Sequence, residues 1–329
     1  MRVVPKSFFA SLFFTAFLVC TTFAVPLSDQ KQGWMVSVDN LVLEHIDELE
    51  ENLHANEALD RYESEYRAVL EGRTGTAVSK EQMAQKLAKA DCVFLTDEHT
   101  VLKAQQNTLW VLEAMAKGQK PLTLVLEWID ATFQSEVDAY LRGEFDVEEL
   151  KKRVRYVELW AFPWEGYRAI LERARELNVP VLFADSFIAH KSLAVRDDQV
   201  VAKMCAFQAK EPEARFLVVY GAFHVLGKDH MAEKAAKAGI KPDYCLVGEA
   251  SDIYWQALAK YDDPELFPFL DLGSSIFYIQ NGSPVERHRS YRKYLMDLLG
   301  WFDDDFDYPL SEIVDDNETR FSRLWSQVN

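Results

Sequence analysis

Short apolar runs alternate along this chain with longer segments whose apolar residues recur at helical spacing. Continuously apolar runs are typical of strands that are buried on both faces. The predicted strands cover 91–95, 122–126, 181–184, 215–220 and 244–247, with 274–280 as a further strand at an edge of the sheet. Because strands that alternate with helices favour right-handed crossovers, we expect an α/β fold. Its mainly parallel sheet should carry helices on both faces.

The segments between the apolar runs predict helices. Ser79, followed by Gln82 three residues later, forms a capping box that opens a helix up to Ala90. Further helices are predicted over 101–117, 132–141, 147–154, 163–177, 197–208, 229–238 and 291–302. The chain then divides into a signal peptide at 1–24, a helical N-terminal segment at 25–87, an α/β domain at 88–300 and an acidic C-terminal tail at 301–329.

Four of the predicted strands run into polar side chains that can carry chemistry. The first strand leads into Asp97 and His99, the second ends at Glu127, the third at Asp185, and the fourth leads to His224. The carboxyl ends of parallel strands meet at one edge of a sheet, where open α/β sheets place their ligands. The sequence therefore predicts a single strand-exit site.

Asp97, His99, Glu127 and His224 are the candidate catalytic residues of this site. Two neutral imidazoles and a carboxylate form a plausible catalytic metal set with open positions for water, so His99, Glu127 and His224 are candidate metal ligands. A buried carboxylate needs a cation or a donor to offset its desolvation. A histidinium would meet that need as well as a metal would, so an acid–histidine hydrogen-bond network without metal stays open.

Other side chains are predicted to support these residues. Alternation along the strand aims Asp97 toward the same side as His99, where its carboxylate can fix the histidine tautomer. Arg196 can pair with Asp185 or clamp an anionic substrate, and an ion pair on the surface is the simpler interpretation. Tyr220 comes directly before the turn that leads to His224.

An aromatic cluster is the last candidate for ligand contact. Trp160, Phe162 and Trp164 lie within five positions of one another. Such residues usually belong to a core. Beside a pocket they could instead stack on a flat ligand such as a porphyrin.

Composition narrows the classes of function. The 329 residues are 49% hydrophobic and 13% aromatic, which suits a globular core and excludes a disordered chain. The formal charge of −17 argues against nucleic-acid binding, which needs Lys and Arg to displace counterions.

The N-terminus has the pattern of a cleavable secretion signal. Arg2 and Lys6 precede an apolar run over 8–20, and small residues then lead to a cleavage position after Ala24. The run is shorter than the ~20 apolar residues of a spanning helix, and no later segment has a membrane-spanning pattern. We therefore expect an exported protein in the periplasm or outside the cell.

The cysteines add little to this interpretation. Val19 stands where a small residue precedes a lipidated cysteine, which argues against a lipid anchor on Cys20. Cys92, Cys205 and Cys245 remain after removal of the leader, and an odd number in an exported protein leaves at least one unpaired. We assign no function to them, and their pairing stays open.

Several of these motifs, in this order, resemble those of a known family. Thr96-Asp97-Glu98-His99 is similar to the Gly-Glu-x-His strand exit of the ChaN-like proteins. These proteins belong to the haem-binding-uptake and Tiki superfamily, which is related to the TraB and erythromycin-esterase groups. Leu126-Glu127-Trp128 resembles the second-strand glutamate of the superfamily, and Gly221-Ala222-Phe223-His224 its Gly-x-x-His. Further similarities lie at 134–141, 164–167, 283–286 and 290–291, so that the resemblance covers about 88–300.

The resemblance implies a function that the residues alone do not. It implies an exported ChaN-like protein that binds haem or a related iron ligand, and haem needs an axial ligand such as His or Tyr. The alternatives are a metal-dependent hydrolase of peptide or ester bonds, as in the Tiki and esterase branches, and a noncatalytic partner-binding domain. The implied cofactor is haem or a divalent transition metal, and a homodimer is compatible with the sequence. Thr96 and the shorter Asp97 replace the family's glycine and glutamate, which weakens the hydrolase hypothesis.

Overall fold

The computed structural model describes residues 27–50 and 57–298. The predicted signal peptide at 1–24 and the acidic tail at 301–329 lie outside the described residues. Within the described part, no helix is both long enough and apolar enough to cross a membrane.

One mixed sheet organises the described chain. Its strands are β1 (Thr76–Val78), β2 (Cys92–Asp97), β3 (Leu122–Leu126), β4 (Val181–Phe183), β5 (Arg215–Gly221), β6 (Tyr244–Val247), β7 (Phe269–Asp271) and β8 (Ile276–Ile279). They lie in the order β1-β7-β8-β6-β2-β5-β3-β4. β7 pairs antiparallel with β1 and β8, and the other pairings are parallel. The predicted α/β class with a mainly parallel sheet is confirmed.

The sheet corrects one strand prediction and adds two strands. The segment predicted as an edge strand contains β8, which lies inside the sheet between β6 and β7. β1 and β7 were not predicted: each has three residues, as β4 does, but neither lies in a continuous apolar run like that of 181–184. The sheet was expected to end at β8, but β7 and β1 extend it by two strands, so that β1 forms the edge.

Helices cover both faces of the sheet, as predicted. They are α1 (Leu27–Glu50), α2 (Glu57–Leu70), α3 (Lys80–Leu87), α4 (Leu102–Ala116), α5 (Gln134–Leu141), α6 (Val147–Arg153), α7 (Tyr156–Leu159), α8 (Trp164–Glu176), α9 (Leu193–Lys210), α10 (Ala222–Val225), α11 (Met231–Lys237), α12 (Ser251–Tyr261) and α13 (Pro284–Leu298). Short 3-10 turns lie at Ala131–Phe133 and Pro264–Leu266. Alternate residues of β2 divide between two cores: Phe94 belongs to the core that contains residues of α1, α2, α9 and α12, whereas Leu95 belongs to the core that contains residues of α3, α4 and α8.

Local signals explain several helix starts. The capping box of Ser79 and Gln82 is present at the start of α3. α9 begins at Leu193, four residues before the predicted start, so Asp197 lies inside the helix and does not cap it. α13 begins at Pro284 and not at residue 291. Before this start, Ser283 and Glu286 exchange hydrogen bonds in the manner of a capping box.

Candidate functional site

Three neighbouring strands bring the predicted residues together. β5 lies between β2 and β3 in the sheet, with all three strands parallel. Asp97 and His99 leave the end of β2, Glu127 follows β3, and His224 lies in the short helix α10 after β5. The predicted strand-exit edge therefore collects four of the candidate side chains at one place.

His99 is held by a carboxylate on one ring nitrogen. Its Nδ1 lies 2.9 Å from Oδ2 of Asp97. Asp97 also accepts hydrogen bonds from the Tyr167 hydroxyl at 2.7 Å and from Nε2 of Gln105 at 2.9 Å. A carboxylate that accepts from Nδ1–H leaves the lone pair of a neutral imidazole on Nε2. This Nε2 lies 3.9 Å from Oε2 of Glu127.

His224 is held in the same way from the other side. Its Nδ1 lies 2.6 Å from Oδ1 of Asp197, and its Nε2 lies 3.7 Å from Oε1 of Glu127. Oδ2 of Asp197 accepts a hydrogen bond from the Tyr62 hydroxyl at 3.1 Å. The two histidines thus face different oxygens of one carboxylate, and an aspartate lies behind each of them.

Asp197 is the residue that the sequence interpretation missed as a partner of His224. The sequence predicts a helix that begins at this residue and gives it no other role. In the structure it is completely buried inside α9, on the same side as Leu193 and Val200. A carboxylate at an apolar position of a helical stripe was the available signal, since such a group needs a buried partner.

Glu127 occupies the centre of this arrangement. It is buried, and its Oε2 accepts the backbone N–H of Gly221 at 2.6 Å. Its Oε1 lies 3.2 Å from Nη2 of Arg196. A Cβ at position 221 would lie 3.2 Å from Nε2 of His99 and 3.4 Å from Oε2 of Glu127. Glycine therefore allows the close approach of strand β5 to both side chains.

Arg196 forms a buried ion pair. Its Nε and Nη2 donate to the Asp185 carboxylate at 2.8 and 2.5 Å, and Asp185 is fully buried. The interpretation as a surface pair is therefore wrong, because the side chain of Asp185 is fully buried and that of Arg196 is only 13% exposed. Arg196 connects Asp185 to Glu127. Tyr220 is also buried, but its hydroxyl donates to the carbonyl oxygen of Leu126 and not to a candidate catalytic group.

Charge sets the protonation of the two histidines. Burial alone would lower the pKa of His99, but the hydrogen bond to Asp97 and the charges of Asp97 and Glu127 raise it above its ordinary value. The pKa of His224 is raised for the same reasons, with Asp197 in the place of Asp97. Both imidazoles therefore hold a proton more firmly than a free histidine does.

The central carboxylate shifts in the opposite direction. Burial alone would raise the pKa of Glu127, but the charges of His224, His99 and Arg196 and the N–H of Gly221 lower it. Glu127 therefore stays ionised while the neighbouring imidazoles carry protons.

Aromatic rings surround the accessible side of His99. The ring centroids of Trp160 and Phe162 lie 4.9 and 4.8 Å from its imidazole. Tyr294 of α13 stacks on Phe162 at 4.3 Å. The side chain of His99 is 22% exposed, against 9% for His224, so a ligand reaches His99 more easily. Trp164, the third member of the predicted cluster, is a buried core residue.

The described residues hold no ready-made metal cluster or disulfide. No group of three or more His, Cys, Asp or Glu side chains in 27–50 and 57–298 has the geometry to hold a metal ion. Both oxygens of Glu127 already have donors, Arg196 and the Gly221 N–H. Cys92, Cys205 and Cys245 are all unpaired in the described part, and Cys92 and Cys245 are buried.

Comparison with protein families supports the resemblance seen in the sequence. Residues 83–186 match the family model described as "Haem-binding uptake, Tiki superfamily, ChaN". The matched segment contains Asp97, His99, Glu127 and Asp185 and ends before His224. The ChaN-like resemblance is therefore confirmed for this part of the chain. No curated protein matches the sequence at a significant level.

Solved structures with a related backbone include three proteins of different kinds. The type III effector HopBA1 is 12% identical with a TM-score of 0.41, and the match covers 65% of this chain and 98% of the effector. ChaN of Campylobacter jejuni, a protein with cofacial haem binding, is 13% identical with a TM-score of 0.39, over 54% of this chain and 89% of that one. The C-terminal region of Pasteurella multocida toxin, with its thiol-protease-like catalytic triad, is 12% identical with a TM-score of 0.36, over 56% of this chain and 26% of that one.

Proposed function

We propose that this chain binds haem or a related iron-containing ligand at the strand-exit site, with Nε2 of His99 as the donor to iron. The observation that carries this proposal is the state of His99. Asp97 engages its Nδ1, its side chain is partly exposed, and two aromatic rings flank it. Imidazole is a common axial ligand of haem, and a carboxylate on the other nitrogen increases its basicity.

The matched family supports the choice of ligand class. The description of the family model names haem-binding uptake, and its matched segment includes His99. A flat, largely apolar ligand would also use Trp160 and Phe162, whose rings line the approach to His99. These residues would hold the ligand, which would supply the redox or uptake chemistry when bound.

Haem titration of the purified protein tests this proposal. Absorption spectra should show a Soret band that shifts when haem binds to the protein. This shift should be lost in His99→Ala. His288→Ala is a matched control, because His288 also pairs with an aspartate, Asp39, and its side chain is 20% exposed. A spectrum of free haem with the unmodified protein, or equal loss in both variants, would contradict the proposal.

Acid–base hydrolysis is the second candidate, because both histidines direct Nε2 toward the same carboxylate. His99 and His224 lie within 3.9 Å of Glu127, and each has an aspartate on its other nitrogen. Such pairs can move protons in ester or peptide hydrolysis. If a divalent metal participates, these three residues would be its ligands, and Arg196 would have to share Glu127 with it.

Hydrolysis assays separate the candidates. Turnover of ester or peptide substrates that is lost in His224→Ala supports hydrolysis, and sensitivity to a chelator distinguishes the metal-dependent form. If His99→Ala and His224→Ala both leave haem binding and hydrolysis unchanged, a noncatalytic partner-binding domain becomes the better interpretation.

We also propose that the protein is exported, with cleavage after Ala24. The basic residues, the apolar run and the small residues at the N-terminus support this. N-terminal sequencing of the protein recovered from a secreting host should begin at Val25. An intact N-terminus on cytoplasmic protein would contradict export.

A further inference from the structure

We infer that Tyr62, in helix α2, is a positioning residue of the strand-exit site and acts through Asp197 on His224. Its hydroxyl donates to Oδ2 of Asp197 at 3.1 Å, while Oδ1 of the same carboxylate lies 2.6 Å from Nδ1 of His224. Asp197 is completely buried. The hydroxyl therefore satisfies the oxygen that the imidazole leaves open and fixes the rotation of the carboxylate.

The Tyr62 ring is itself clamped in place. It stacks on His230 with a centroid distance of 4.1 Å and an interplanar angle of 13°. Glu65, three residues later on α2, binds Nε2 of the same His230 at 2.8 Å. Residues three apart lie on one side of a helix, so α2 holds His230 with two side chains at once. This contact anchors the helix beside α11.

The other half of the site repeats this arrangement. The Tyr167 hydroxyl donates to Asp97 at 2.7 Å, and Asp97 holds Nδ1 of His99. A tyrosine, an aspartate and a histidine thus lead to Glu127 from each side. Tyr167 belongs to the family-matched segment, whereas Tyr62 lies outside it, in the predicted helical segment 25–87. Helix α2 is accordingly part of the site and not only a cover for the sheet.

Loss of the Tyr62 hydroxyl should loosen His224 without changing the packing. Tyr62→Phe keeps the ring on His230 and removes only the donor to Asp197. The buried Oδ2 is then unsatisfied, so the carboxylate rotates or admits water, and its bond to Nδ1–H of His224 opens more often. The neutral imidazole that faces Glu127 no longer has a fixed tautomer. This role rests on the proposed function of the site.

The test is NMR of the full chain labelled with ¹⁵N-histidine, at a pH at which His224 is neutral. In the unmodified protein, the Nδ1 proton of His224 should be protected from exchange with water. In Tyr62→Phe it should exchange at least about tenfold faster, as expected when the hydrogen bond opens more often. Tyr66→Phe is the matched control. It removes a buried hydroxyl from the same helix, but that hydroxyl donates to the carbonyl oxygen of Glu249 at 3.0 Å.

Unchanged protection in Tyr62→Phe, or an equal loss in Tyr66→Phe, would overturn the inference. If Tyr62→Phe does not fold, the unmodified protein still decides, because the Tyr62 hydroxyl proton must itself be protected from exchange. A hydroxyl proton averaged with water would refute the bond to Asp197. Haem titration of the unmodified protein tests the proposed function separately, so either idea can fail alone.

Discussion

The backbone N–H of Gly221 donates to Oε2 of Glu127 at 2.6 Å. This contact joins the end of the central strand β5 to the carboxylate that both histidines face. It places a residue without a side chain beside His99, and a Cβ there would lie 3.2 Å from Nε2. The space around Nε2 of His99 thus depends on the absence of a side chain at position 221 of β5.

Gly221→Ala should weaken haem binding while it leaves the fold intact. The backbone donor to Glu127 remains, but the new methyl group crowds Nε2 of His99, the proposed donor to iron. We expect a loss of affinity of about tenfold or more, which corresponds to at least ~1.4 kcal/mol. A haem titration followed by absorption measures it.

Gly33→Ala is the control for this substitution. Gly33 lies in helix α1, and a Cβ there would meet nothing within 4 Å. Its affinity for haem should equal that of the unmodified protein. Normal haem binding by Gly221→Ala would show that Nε2 of His99 is not the group that meets the ligand.

Haem affinity should fall as the pH falls through the pKa of His99. Only the neutral imidazole can donate Nε2 to iron, and Asp97 raises the pKa of His99. The midpoint should therefore lie above the ~6.5 of an unperturbed histidine. Asp97→Asn removes the charge and should move the midpoint to lower pH.

The measurement is the haem dissociation constant across a pH series for both proteins. Asp39→Asn, which affects the His288 pair instead, should leave the midpoint in place. Equal midpoints in the unmodified protein and Asp97→Asn would contradict the role given to Asp97.

The sequence predicted the location of the site better than its wiring. The exits of β2, β3 and β5 could be found because continuous apolar runs mark buried parallel strands and their carboxyl ends share an edge. The apolar side of its helix indicates that Asp197 is buried, but its partnership with His224 is a tertiary contact that no local pattern identifies. Nor does local pattern reveal that Tyr62, 135 positions away from Asp197, reaches the same carboxylate.

The fold shows the same division between local and long-range information. The long apolar strands and the capping box at Ser79 follow from neighbouring residues. β1 and β7 have three residues each, and only their pairing with each other and with β8 defines them as strands. This is why β8 was expected at an edge.

His224 should stabilise the protein most at mildly acidic pH. Its pKa is raised on folding, so its protonated form is favoured in the folded state. This contribution is fully present below the unfolded value of ~6.5 and is lost as the pH rises through the higher folded value. The substitution His224→Gln should therefore lower the free energy of unfolding more near about pH 5.5 than near about pH 9.

Urea unfolding at the two pH values measures this difference. Glu127 does not reverse the trend in this window, because its lowered pKa keeps it ionised at both values. His99→Gln should behave in the same direction, since the pKa of His99 is also raised. A loss of stability that grows with pH would contradict the assigned charges.

Arg196→Met should destabilise the fold far more than removal of an exposed arginine. Asp185 is completely buried, and Arg196 is its charged partner. Breaking a buried pair on one side leaves an uncompensated charge, which costs about 3–5 kcal/mol of the free energy of unfolding. Burial raises the pKa of Asp185, which favours its neutral form, so the loss should shrink at lower pH.

The double variant Asp185→Leu with Arg196→Met shows how much of the lost stability comes from leaving the Asp185 carboxylate without a partner. It should recover part of the stability, because no unpaired carboxylate remains at position 185. Arg142→Met is the exposed control: Arg142 pairs with Glu144 where both side chains are more than half exposed, and its loss should cost less than ~1 kcal/mol. Urea unfolding of the three variants gives the comparison. If Arg196→Met loses no more stability than Arg142→Met, the ion pair between Arg196 and Asp185 does not hold the end of β4 next to Glu127.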